Sequence, residues 1–100
     1  GYLYENVVAQ MLRAKGEELF YYTFPNELST HNFELDFIIS RDNKICPLEV
    51  KSSGYNSHKS LDVFSSKYSN RIARKYLITT KDLSKDQDII CLPFYLVPFI

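Results

Sequence analysis

Phe33-Glu34-Leu35-Asp36-Phe37-Ile38-Ile39-Ser40, then Arg41-Asp42-Asn43-Lys44, then Ile45-Cys46-Pro47-Leu48-Glu49-Val50-Lys51, reads as one β-hairpin. Leu35, Phe37 and Ile39 alternate with polar residues at the spacing of a half-buried strand, predicted over residues 31–40. Asp and Asn tolerate positive φ, so 41–44 is the turn and 45–51 the returning strand. Residues two apart on a strand share a face, so Glu49 and Lys51 point one way and Leu48 and Val50 the other. By the same rule Glu34 and Asp36 share a face, opposite Leu35 and Phe37. If Asp42 and Asn43 are the two loop residues, Arg41 pairs with Lys44. Counting back then places Asp36 across from Glu49 and Glu34 across from Lys51. A three-residue loop would shift that register.

Opposed like charges destabilise a hairpin unless something relieves them. A hard divalent cation, Mg²⁺ or Mn²⁺, does so, since it binds through one or two carboxylates plus water and phosphate oxygens. Lys51 on the same face is then placed to orient a water or to stabilise charge on a phosphate. The plain alternative is a solvated polar face with a Glu34–Lys51 ion pair.

Upstream, residues 2–15 read as an amphipathic helix, with Leu3, Val7, Met11 and Ala14 at helical spacing and Tyr4 and Val8 widening the stripe. Glu5 sits at the edge of that stripe, and Gly16 suits a helix-terminating left-handed position. Residues 19–24 are aromatic and β-prone, and Pro25-Asn26 ends the strand. Downstream, Ser52-Ser53-Gly54 breaks the hairpin. A second helix is predicted over 60–71, with Leu61, Phe64, Tyr68 and Ile72 on one face, Asp62 in the first turn, and Ser57 or Ser60 as N-cap. Strands follow at 75–80 and 89–92. Residues 93–100 are strongly apolar and read as a last turn of helix or strand against the sheet. The predicted order is α-β-β-β-α-β-β, one α/β domain.

The chain has 100 residues, 12 basic and 12 acidic, and zero formal net charge. That balance argues against a generic grip on a phosphate backbone, and Arg71, Arg74 and Lys75 read as a solvated helix end. Cys46 and Cys91 lie alone in apolar stretches and read as small buried hydrophobes, which fits a reducing cytoplasmic setting. No apolar run is long enough to span a bilayer. Lacking an initial Met or a leader, the chain reads as a piece of a longer protein. His31 and His58 read as surface or capping residues. The tyrosines read as core or rim packing, with base stacking by Tyr55 or Tyr22 a secondary reading.

The segments 33–39 and Pro47-Leu48-Glu49-Val50-Lys51-Ser52 resemble the Asp…Glu-x-Lys core of the PD-(D/E)xK nuclease superfamily. Its restriction-endonuclease-like α-β-β-β-α-β core is a mixed central sheet flanked by two helices, and carries an acidic residue on the first helix, where this chain has Glu5. The resemblance is closest to a domain of unknown function at the C-terminus of prokaryotic AAA+ ATPases. That group shares the opening Gly1-Tyr2-Leu3-Tyr4-Glu5-Asn6, a Glu-x-Asp-Phe strand, a Glu-Val-Lys-Ser strand and a helix start like Ser60-Leu61-Asp62-Val63-Phe64. The resemblance implies metal ligation by Asp36, Glu49 and the Val50 carbonyl, a water-positioning Lys51, and Glu5 as an accessory acid. It implies DNA as partner, with ATP confined to an ATPase portion of the same chain. Nuclease relatives place a further Gln or Lys on the second helix, where Lys59 and Lys67 are the candidates. Two other readings stand beside hydrolysis: a non-catalytic DNA-binding or accessory module, and a protein-interaction module using residues 94–100.

Overall fold

A computed structural model describes residues 2–25, 33–51 and 58–100, with only the backbone of Tyr2 and Phe33. The elements are α1 (Tyr2–Ala14), β1 (Phe20–Phe24), β2 (Phe33–Arg41), β3 (Lys44–Val50), α2 (Lys59–Lys67), β4 (Lys75–Thr79), β5 (Ser84–Asp86) and β6 (Ile89–Pro93). Single 3₁₀ segments occupy Ser69–Arg71 and Phe94–Phe99. The six strands form one sheet in the order β1-β2-β3-β4-β6-β5. β1, β2 and β3 are antiparallel, β3–β4–β6 are parallel, and β5 returns antiparallel on the far edge. The mixed α/β architecture is therefore the expected one.

Each face of the sheet carries its own core. Val8, Ala9 and Leu12 of α1 pack on Phe37, Ile39, Cys46, Leu48, Tyr76 and Ile78, with Val97 of the last 3₁₀ segment. On the opposite face Leu61 and Phe64 of α2 pack on Phe24, Leu35, Ile38, Leu77, Ile89 and Cys91. Both cysteines are buried and free, as expected. β3, β4 and β6 are covered on both faces, which is why they read as near-continuous apolar runs.

Several local expectations need correction. The buried line of α1 runs through Val8 and Leu12, whereas Leu3 is 72% exposed and Ala14 also faces solvent. The predicted stripe was one residue, about 100°, out of phase, because the apolar arc is too wide for the sequence to choose its centre. α2 ends at Lys67 rather than Arg71, and the chain continues as a 3₁₀ turn. Its N-cap is His58, so Ser60 lies inside the helix; Ser57, like His31, Ser52–Gly54 and Tyr55, lies outside the described residues. β5, Ser84-Lys85-Asp86, was not anticipated, because a short hydrophilic edge strand has no apolar alternation to reveal it. Gln87, at φ 57, opens its two-residue turn into β6.

Two terminations follow local chemistry directly. Gly16 has φ +91; its N–H donates to the Arg13 carbonyl and the Glu17 N–H to the Leu12 carbonyl, closing α1 with a Schellman pair. Asp42 opens the β2–β3 turn at φ 56, and the pairs Arg41↔Lys44 through Phe37↔Leu48 keep the predicted two-residue-loop register. Pro47 has no N–H to give β4, and it lies where the β3–β4 pairing slips by one residue, between Ile45↔Ile72 and Leu48↔Tyr76.

Candidate functional site

The ladder between β2 and β3 ends at Phe37↔Leu48. Beyond that point the Val50 N–H donates to Oδ2 of Asp36 at 2.7 Å instead of to a strand carbonyl. A second irregularity sits at the same place. β1 pairs Phe20 with Ile38 but Tyr22 with Leu35, so Tyr21 alone opposes Asp36 and Phe37. This extra residue breaks the alternation: Phe37 packs under α1 while Leu35 packs under α2. The expectation that Leu35 and Phe37 share a face is thus overturned, and bulges of this kind re-aim side chains at functional sites.

Asp36 is re-aimed toward α1, where its carboxyl meets that of Glu5. Burial first, then the Glu5 and Glu49 carboxyls, push its pKa up to about 7 against the lowering effect of the Val50 N–H. Glu49 and Lys51 share a face as predicted, with Nζ 3.8 Å from Oε2. Lys51 is therefore partnered with its strand neighbour Glu49, not with Glu34 as the plain polar-face reading had it. Glu49 is 6% exposed, and among the described residues its buried Oε2 has no hydrogen-bond partner. Burial raises its pKa, with Lys51 and His58 opposing and Asp62 adding.

Glu5, Glu34, Asp36, Glu49, Val50, Lys51 and Ser60 line one open cleft of about 310 Å³ where β2 and β3 part. Glu5, Asp36, Glu49, Val50 and Lys51, the acids, carbonyl and lysine singled out in the sequence, are all brought to it. Lys59 begins α2 at this end, whereas Lys67 closes the helix and lies against the Tyr68 ring, so only Lys59 is near the cleft. Among the described residues, no three His, Cys, Asp or Glu side chains gather as a metal-binding group.

His58 stands at the N-cap position of α2, as the capping reading has it, and its side chain does more. Its Nδ1 lies 2.9 Å from Asp62 and its Nε2 2.8 Å from Asp86, tying the start of α2 to β5. Burial disfavours its charge, but the hydrogen bonds it donates to the Asp86 and Asp62 carboxylates outweigh that and raise its pKa. Asp62, four residues on, was the one available signal; Asp86 gave none, because β5 itself was invisible.

Among the described residues no helix is long and apolar enough to cross a membrane. No curated protein matches the chain. A family model described as a domain of unknown function, DUF4143, matches residues 1–97. That family is commonly found as the C-terminal part of AAA-type ATPases. With nearly its whole length matched, the chain belongs to this family.

Proposed function

We propose that the cleft is a metal-dependent phosphodiester-hydrolysing site acting on DNA, in a nuclease-like domain of a prokaryotic AAA+-type ATPase. The observation that carries this reading is the buried Oε2 of Glu49, which among the described residues accepts no hydrogen bond and has Lys51 Nζ no nearer than 3.8 Å, opening with Asp36 onto one cleft. A buried carboxylate oxygen without a hydrogen-bond donor is costly, and the solvated Lys51 ammonium at 3.8 Å offsets that only in part, so a directly bound cation or a proton would relieve it. Asp36, Glu49 and the Val50 carbonyl are a hard oxygen donor set that suits Mg²⁺ or Mn²⁺. Such an ion, when bound, polarises a phosphoryl oxygen and acidifies a coordinated water.

The chain's own groups have distinct tasks in this reading. The Val50 N–H holds Asp36 in one orientation. Lys51, half-exposed at the cleft, positions the attacking water and meets charge developing on the phosphate. Glu5 stands beside Asp36 as an accessory acidic side chain. ATP belongs to an ATPase portion of the same chain, not to this cleft.

The test is cleavage of varied DNA substrates with Mg²⁺ or Mn²⁺ by wild type, Lys51→Ala and Asp36→Ala. Cleavage by wild type alone is expected; equal activity in all three sinks the reading. One observation favours a second reading, a non-catalytic accessory module: the Val50–Asp36 bond gives Asp36 a purely structural use where the ladder fails. Calorimetric titration with Mn²⁺ separates the two, since absence of binding to wild type favours the module.

A further inference from the structure

The neutral total charge conceals a separation along β3. The acidic cleft lies at its C-terminal end, and cations collect at its N-terminal end, roughly 20 Å away at about 3.3 Å per residue. Because β3 and β4 run parallel, their starts coincide. Ile45 bridges Ile72, and the Ala73 N–H donates to the Ile45 carbonyl at 2.9 Å. Lys44 and Arg41 from the hairpin thereby meet Arg74 and Lys75 from the approach to β4.

Two hollows adjoin there and share Ala73 and Arg74. The larger, about 630 Å³, is bordered by Arg41, Lys44, Arg74 and the turn residues Asp42 and Asn43. The smaller, about 210 Å³, adds Lys75, Asp88 and Ser69. The nearby acids are largely committed: Glu17 pairs with Arg41 at 2.7 Å and Asp88 with Lys75 at 2.6 Å, leaving Asp42 at the turn. Among the described residues, Lys44, Arg71 and Arg74 have no ion-pair partner.

We infer that this hairpin-end groove binds the phosphate backbone of a nucleic acid, independently of any metal and of the chemistry in the cleft. The unpaired Lys44 ammonium and Arg74 guanidinium border the groove, and such groups suit the regular charge of a phosphodiester chain. A folded protein partner would need apolar surface as well. Among the described residues the exposed large apolar side chains, Leu3, Phe20, Tyr21, Leu83, Tyr95 and Phe99, line neither hollow. Contacts of this kind grip without reading sequence.

The experiment is fluorescence anisotropy of the 100-residue chain with labelled oligodeoxythymidine and with a DNA duplex, in EDTA, over a salt series. Binding by wild type is expected. Lys44→Glu/Arg74→Glu weakens it about tenfold or more, and the salt slope falls by about one per contact removed. The neutral pair Lys44→Gln/Arg74→Gln gives an intermediate loss, with circular dichroism unchanged in both. Lys85→Glu, the same kind of charge change on β5, leaves affinity within about twofold. No binding by wild type at low salt, or equal loss in Lys85→Glu and the double variant, overturns the inference. Poly-glutamate competing as well as the oligonucleotide would assign the groove to acidic polypeptides and overturn it too.

Discussion

The Val50 N–H and the Asp36 carboxylate, 2.7 Å apart, join β3 to β2 at the point where their ladder stops. A side chain here replaces the carbonyl that the next ladder bond would have used. The bond both satisfies a backbone donor and holds one edge of the cleft.

Asp36→Ala leaves that donor without its partner and is expected to cost about 1–3 kcal/mol. Asp36→Asn keeps an acceptor and costs less, while still abolishing cation-dependent activity. Urea unfolding of the two variants against wild type measures the difference; equal stability of all three removes the structural role of Asp36.

Stability should respond to pH through the same residue. The Asp36 carboxyl titrates near 7 when folded, above its ordinary 3.8, chiefly because burial disfavours its charge. The folded chain therefore holds the extra proton, and this contribution is fully present below pH 3.8 and lost as pH rises through about 7. The difference in unfolding free energy between wild type and Asp36→Asn, followed from pH 4 to 8, should shift in that direction. A flat difference refutes the assignment.

Glu49→Gln is expected to stabilise the chain by about 1 kcal/mol while removing Mn²⁺ affinity. The substitution removes a desolvated charge whose one ion-pair partner among the described residues, Lys51, is itself partly in water. A rise in Tm together with loss of calorimetric Mn²⁺ binding is the expected pair of results.

His58 should titrate above an isolated histidine because Asp62 and Asp86 accept from its two nitrogens. Its contribution is fully present below pH 6.5 and is lost as pH rises through the higher folded-state value. NMR titration of the His58 ring should show the elevated pKa, and Asp86→Asn should lower it.

Gly16→Ala meets no atom within 4 Å, so space is not the obstacle; φ +91 is. A cost of about 1 kcal/mol is expected from backbone strain alone. Chemical denaturation measures it, and an unchanged midpoint would mean that the α1 terminus relaxes.

Local chemistry written in the sequence settled much of this chain. The Asp42-Asn43 turn set the β2–β3 register, period-two alternation put Glu49 beside Lys51, and Gly16 marked the end of α1. These depend on residues close in sequence, so spacing alone reveals them. What pairing does across the sheet was hidden. The extra β2 residue opposite Tyr21 turns Asp36 from a place across Glu49 to a place beside Glu5, and nothing between residues 33 and 51 announces a bulge created by the partner strand. The His58–Asp86 link and the meeting of Lys44 with Arg74 likewise join segments that only the sheet order brings together. Alternation fixes which residues share a strand face, but contacts across strands depend on register and on which elements become neighbours, and those are decided when the two cores pack.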